Sequence, residues 1–246
     1  GISATADDVV ILTGSSQGID LIAKIFLNEG DVILTEAPTF LGALQTFRTY
    51  LAEPVGVAVD ELGMVMEDLE EKLKQTRAKV IYTIPTFQNP TGRTLPLERR
   101  KKMLELAKKY GAIILEDDPY GDLRYSGSPV PPIRTLDDSG ETVVYLGSFS
   151  KIISPGLRVG FAVGDSRVLR KLTIAKQGTD VHTSNLSQAI VDQYIRSGKL
   201  WPHIAECCAF YARQRDAMVN AIKKYLPKRV RYTVPDGGIF IWASLN

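Results

Sequence analysis

The chain has 246 residues, 44% of them hydrophobic and 24% charged, with 20 Gly and 13 Pro, proportions that exclude disorder, collagen and a coiled coil. Thirty Lys and Arg against 28 Asp and Glu leave a net charge of +2 with no long block of one sign, which argues against nucleic acid as the main partner. No apolar stretch reaches the roughly 18 residues of a membrane span, and the N-terminus lacks a basic stretch followed by an apolar core, so neither membrane insertion nor secretion is expected. Adjacent Cys207 and Cys208 offer no metal-ligand spacing and fit a reducing cytoplasm.

Short apolar runs alternate with segments of helical period. Val9–Leu12, Val32–Leu34, Val55–Val59, Val80–Ile84, Ala112–Leu115, Val143–Leu146 and Val159–Val163 are mostly apolar throughout rather than alternating, as in strands covered on both faces of a parallel sheet. Ile19, Ile22, Ala23 and Phe26 mark one helix closed by Gly30; Met66, Leu69 and Leu73 mark a second; Met103 to Tyr110 mark a third closed by Gly111. The basic run Arg99-Arg100-Lys101-Lys102 opens that third helix and reads as a solvated face. The pattern predicts a doubly wound α/β domain with its sites at the carboxyl ends of the strands.

After Gly164 the texture becomes mostly helical. Ile204, Cys208, Tyr211, Arg215, Met218, Ile222 and Tyr225 step by fours and threes along one long helix, a stripe suited to packing against the first domain or a partner subunit. Val230–Val234 and Ile239–Trp242 read as two further strands joined by Pro235-Asp236-Gly237-Gly238. A division into a major domain, 1–178, and a helical connection with an incomplete small domain, 179–246, is expected.

Four segments at strand ends carry residues suited to chemistry. Thr13-Gly14-Ser15-Ser16-Gln17-Gly18 opens a helix; such a turn presents free backbone N–H groups and hydroxyls to a phosphate, or its serine simply caps the helix. Pro85-Thr86-Phe87-Gln88-Asn89-Pro90-Thr91-Gly92 reads on spacing as a turn, with Asn89 held beside a rigid proline. Glu116-Asp117-Asp118-Pro119-Tyr120 ends a buried strand, where a carboxylate either faces a cation or caps the next turn. In Gly147-Ser148-Phe149-Ser150-Lys151-Ile152-Ile153, Lys151 has apolar sequence neighbours; desolvation would free its amine as a nucleophile, and Arg158, seven residues on, could pair with a phosphate. His182 and His203 lie far from these segments and read as packing or surface residues.

In order and content, the Gly-Ser turn, Pro38-Thr39-Phe40, Asn89-Pro90-Thr91-Gly92, Asp117-Asp118-Pro119-Tyr120, Ser148-Phe149-Ser150-Lys151 and Gly156-Leu157-Arg158 resemble the fold-type I pyridoxal-phosphate enzymes. The subgroup resembled is the class I/II aminotransferases acting on 2-aminoadipate, kynurenine and aromatic amino acids, over about Val9 to Trp242. The resemblance implies that Lys151 holds pyridoxal 5′-phosphate as a Schiff base and moves a proton, and that Asp117 pairs with the pyridine nitrogen. It implies that Asn89 and Tyr120 bond the phenolate oxygen, that Phe40 stacks on the ring, and that Ser15, Ser16, Ser148, Ser150 and Arg158 hold the phosphate. Asp118 also matches the subgroup but receives no catalytic role.

The resemblance further implies a mostly parallel sheet with one antiparallel member, a smaller C-terminal α+β domain, a homodimer, and amino acid and 2-oxo acid substrates. Relatives carry a site-lining segment before, and a carboxylate-clamping arginine after, the stretch present here, so the chain is expected to be truncated at both ends. Two other readings share the scaffold: the effector domain of a MocR-type transcription regulator, and a pyridoxal-phosphate-dependent lyase.

Overall fold

A computed structural model describes residues 2–245. The first half contains β1 (Val9–Leu12), α1 (Ser15–Phe26), β2 (Val32–Ala37), α2 (Leu41–Thr49), β3 (Glu53–Asp60), β4 (Gly63–Met64), α3 (Met66–Thr76), β5 (Val80–Thr83) and α4 (Leu97–Tyr110). The second contains β6 (Ile113–Asp118), β7 (Val143–Ser148), β8 (Gly160–Val163), α5 (Ser166–Gln177), α6 (Asn185–Arg196), α7 (Leu200–Tyr225), β9 (Val230–Tyr232) and β10 (Ala243–Leu245).

Eight strands form one sheet in the order β1-β8-β7-β6-β5-β2-β3-β4. Pairs β7·β6, β6·β5, β5·β2 and β2·β3 are parallel, whereas β8 runs antiparallel between β7 and β1. The two-residue β4 adds a second antiparallel strand, in a tight hairpin with β3, that the sequence pattern did not anticipate; a strand of two residues is too short for any periodicity.

The continuous apolar strands are explained by the layers. Leu115 and Leu146 pack into a core with Ile19, Ile22 and Phe47 of α1 and α2 and with Leu169 and Leu172 of α5. On the opposite face Ile81 and Ile114 meet Leu69, Leu73, Met103 and Leu106 of α3 and α4. Gly111 ends α4 in the left-handed conformation, φ 69°, a geometry that glycine adopts at little cost.

Two expectations change, and a third is met in part. Arg100, read as part of a solvated face, is wholly buried and donates to the carbonyls of Leu95, Pro131 and Pro85 and to the Thr86 hydroxyl at 2.8–3.0 Å; its guanidinium fork satisfies three loop carbonyls at once, which charge patterning cannot reveal. The strand expected at Ile239–Trp242 lies later: β9 pairs with Ala243–Leu245, and residues 239–242 are a bend and an irregular lead-in, held where Thr233 N–H donates to the Trp242 carbonyl at 2.9 Å. The stripe on α7 is covered over most of its length, Arg215 and Ile222 staying half-buried. Over its first half Ile204, Cys208 and Tyr211 pack with Ile152 and Leu123, while Met218 and Tyr225 are exposed.

Candidate active site

Strand direction decides where the chemistry gathers. Because β1, β2, β5, β6 and β7 point the same way, the segments that follow them emerge at one edge of the sheet. Antiparallel β8 enters at that same edge, so Arg158, just before it, joins them. All ten residues singled out from the sequence line one cavity of about 230 Å³ there. Ser15 and Ser16 come from the end of β1, Phe40 from that of β2, Asn89 from that of β5, and Asp117 and Tyr120 from β6 and its end. Ser148, Ser150, Lys151 and Arg158 come from the β7–β8 connection.

One end of the cavity is built for an anion. Gly14, not a serine, is the N-cap of α1 and makes no side-chain cap, so both serines stand in the first turn, where helix N–H groups lack internal partners. A Cβ on Gly14 would sit 2.5 Å from Arg158 Nη2, and the residue has φ 79°; only glycine lets the guanidinium lie across the turn. Arg158 Nη1 donates to Ser150 Oγ at 3.4 Å, and Ser150 N–H donates to Ser148 Oγ at 3.2 Å. Arginine, hydroxyls and helix N-terminus thus converge on one spot.

The opposite character appears at Asp117. Its Oδ2 accepts a 2.9 Å bond from the Tyr82 hydroxyl, while Oδ1 is buried with no hydrogen-bond partner. Burial pushes the carboxyl up to about 7, against the bond from Tyr82; the nearby Ser15 hydroxyl also favours the charged form without bonding Oδ1. A lone buried acceptor of this kind asks for a cationic donor. Asn89 Nδ2 reaches the Tyr120 hydroxyl at 3.4 Å, and burial followed by the charge of Asp117 pushes that phenol up to about 12. Phe40 is half-buried on the wall.

Lys151 departs from expectation. Its flanking isoleucines turn away from it: Ile152 is buried among Leu123, Leu200 and Ile204, with Ile153 packed alongside, and the lysine side chain is exposed at the cavity. Apolar neighbours in sequence do not make apolar neighbours in space when a chain turns at every residue. Asp118 points to the other side of the sheet, where Oδ1 accepts from Gly121 N–H at 2.9 Å and Oδ2 from the Tyr145 hydroxyl at 3.1 Å; it caps the turn, the second of the two alternatives open for this pair.

The family model for class I and II aminotransferases matches residues 1–246. The chain belongs to that family. It is 48% identical to aromatic-amino-acid aminotransferase 1 of Thermococcus litoralis over 97% of its own length and 58% of that enzyme's. The kynurenine aminotransferase of Pyrococcus horikoshii, solved in complex with PMP, KYN and KYA, superposes with a TM-score of 0.95 at 49% identity, over 100% of this chain and 61% of that one. A weaker likeness, 34% identity, extends to the helix-turn-helix regulator YisV of Bacillus subtilis, of which the chain covers 50%. The chain therefore spans half to three fifths of the length of these relatives.

The aminotransferase fold also brings in residues that sequence reasoning passed over. Ile84, Pro119 and Phe240 complete the lining, and Phe240 meets Tyr120 edge-on at 5.6 Å between ring centres. Phe240 was read only as part of a strand; its approach depends on Gly238 and Gly92, where a side chain would collide with Phe87 and with the Phe240 carbonyl. Glu36 is a second omission. Wholly buried at the end of β2, it accepts from the Thr83 hydroxyl at 2.5 Å and Ile84 N–H at 3.0 Å and so braces the start of the Asn89 loop. Neither histidine reaches the cavity: His182 Nδ1 contacts the Thr183 carbonyl at 2.9 Å and His203 lies beside Tyr194 and Cys207.

Proposed function

We propose that the protein is an aminotransferase that moves an amino group between amino acids and 2-oxo acids with pyridoxal 5′-phosphate held in this cavity. The observation that carries the reading is the pairing of opposite ends: a guanidinium-and-hydroxyl cradle at Gly14 and a buried, half-satisfied carboxylate at Asp117. A ligand that is an anion at one end and a nitrogen cation at the other fits both.

Ser15, Ser16, Ser148, Ser150 and Arg158 would hold the phosphate, and Asp117 Oδ1 would accept from the protonated ring nitrogen. Two unit charges about 4 Å apart gain roughly 4 kcal/mol at an effective dielectric near 20, enough to keep Asp117 ionised against its burial. Asn89 and Tyr120 would hydrogen-bond the ring oxygen, and Phe40 would cover the ring face. Bound there, the cofactor supplies an aldehyde for covalent attachment and a ring that withdraws electrons from a carbon losing its proton. Lys151 Nζ would provide the amine for attachment and would move the proton to and from the reacting carbon. Its exposure at the cavity leaves the amine free to do both.

Residues 1–178 then form the cofactor unit and 179–246 the connection to a smaller domain. A homodimer is supported by α6, whose Leu186 and Ile190, one turn apart, are 73% and 44% exposed, an apolar face that a second copy could cover. Two free thiols support a cytoplasmic setting, and no helix among the described residues is long and apolar enough to cross a membrane.

Borohydride reduction of cofactor-loaded protein should leave the label on the peptide containing Lys151, and incubation with amino donors should release a 2-oxo acid without ammonia or carbon dioxide. Label on a different lysine overturns the site; label on Lys151 without turnover of any donor points to the regulator-type reading; ammonia release points to a lyase.

A further inference from the structure

A second polar cluster lies behind the anion cradle, on the side away from the cavity. Lys176, near the end of α5, is only 6% exposed, and its Nζ donates to Gln17 Oε1 and to both oxygens of Asp180, each at 2.8 Å. Asp180 Oδ2 also accepts from the Thr13 hydroxyl at 2.7 Å and from Gln17 Nε2 at 2.8 Å. Gln17 Oε1 in turn accepts from Thr13 N–H at 2.8 Å. Burial works against the charge on Asp180, and the donors from Lys176, Thr13 and Gln17 outweigh it, holding the carboxyl below its ordinary range.

Thr13 and Gln17 are the two residues that bracket Gly14-Ser15-Ser16. The network therefore clamps both ends of the cradle, and it does so from α5 and the segment that follows, more than 150 positions away in sequence. Neither Lys176 nor Asp180 lines the cavity. With one positive and one negative group in contact, the pair adds little net field at the anion position; what it adds is a fixed backbone.

We infer that Lys176 and Asp180 are positioning residues for the phosphate end of the ligand, acting through Gln17 and Thr13. The inference rests on the cofactor site proposed above. It predicts an effect concentrated at the phosphate: the pyridine ring is held from β5, β6 and the end of β2, and the clamped turn bears on that end only through the Ser15 hydroxyl near Asp117.

The test compares equilibrium binding of pyridoxal 5′-phosphate and of phosphate-free pyridoxal, followed by absorbance, for the wild-type protein and for Lys176→Met and Asp180→Asn. Each variant should lose about tenfold or more in affinity for the phosphorylated ligand and less than about threefold for pyridoxal, with a changed ³¹P resonance of the bound cofactor. Equal losses for both ligands would mean general destabilisation and overturn the inference. Opposite effects, with Asp180→Asn tightening and Lys176→Met weakening, would mean that charge rather than position matters, and also overturn it. Variants that match a wild type able to tell the two ligands apart overturn the network and leave the site standing; a wild type that binds neither ligand overturns the site itself. Should Lys176→Met not fold, Thr13→Val, which deletes the hydroxyl's bonds to Asp180 and to the Thr183 hydroxyl, carries the same comparison, with Thr183→Val as the control for the second bond.

Discussion

The Tyr82 hydroxyl donates to Asp117 Oδ2 at 2.9 Å, and the equally buried Oδ1 beside it has no partner among the described residues. Burial, followed by the charge of Asp117, raises the Tyr82 phenol well above its ordinary value, so it serves as a donor at every working pH. A carboxylate steadied on one oxygen and left open on the other is oriented for a single incoming donor. The same arrangement is costly without that donor, and the cost has a sign that can be measured.

Asp117 titrates near 7 in the folded chain, against roughly 4 when unfolded. Between those values the folded state keeps a proton that the unfolded state has released, so stability present below pH 4 is lost as pH rises through 7. Asp117→Asn removes that loss. The cofactor-free variant should melt above the wild type at pH 8, with a smaller gap at pH 5, while failing to retain the cofactor. Glu116 and Asp118, raised by burial to about 7 and about 6, keep a residual slope. Thermal melts at the two pH values decide it: a variant less stable than wild type at pH 8 contradicts the assignment.

Gly14→Ala should weaken the phosphate site severely. The new methyl meets the Arg158 guanidinium at 2.5 Å, and the backbone at φ 79°, ψ 161° is itself unfavourable for alanine by about 1–3 kcal/mol. Either the turn or the arginine must move. Titration with inorganic phosphate should show at least about tenfold weaker binding, whereas Gly30→Ala, also at positive φ but with nothing within 4 Å, should alter stability and leave phosphate affinity as it was.

Arg100→Met should be among the most destabilising substitutions in the chain that leave the cavity lining intact. It strands the carbonyl of Leu95, at about 1–3 kcal/mol for a buried acceptor left unpaired, and removes the second donor to the Pro85 carbonyl, which keeps the bond from Leu95 N–H, and the bond to the solvent-side Pro131 carbonyl. A fall in melting temperature of roughly 4 °C or more follows for a domain of this size. A shift below 2 °C, on the order of 1 kcal/mol or less, would show that water replaces the guanidinium.

The double substitution Leu186→Glu, Ile190→Glu places two charges on the exposed apolar face of α6. Sedimentation velocity should report a shift from dimer to monomer without loss of helical signal. A dimer of unchanged stability would move the subunit interface elsewhere.

The fold was largely readable because strands covered on both faces must be apolar throughout. Val80–Thr83 and Val143–Ser148 show that directly. Helix α2 escaped notice because its apolar face amounts to Ala43 and Phe47, too few positions to set a period, and it directly follows the Pro38-Thr39-Phe40 motif. The burial of Arg100 was unreadable because its partners are backbone carbonyls of loops, which carry no residue-type signal.

For the site, residue types at strand ends drew attention to Lys151, Arg158 and the Asp117-Asp118 pair, whereas Asn89 and Tyr120 were singled out only by the resemblance of the ordered motifs to the aminotransferases. Direction and depth were not contained there. That Asp117 faces the cavity while Asp118 faces away follows from strand alternation fixed only once β6 lies between β5 and β7. That Arg158 meets Gly14 depends on β8 running against its neighbours, and that Lys176 can steady a turn at residue 14 depends on α5 packing beside α1. The linear chain determined which chemistry was possible; long-range packing, by setting which carboxylate is buried and which guanidinium crosses which turn, decided where that chemistry could be assembled.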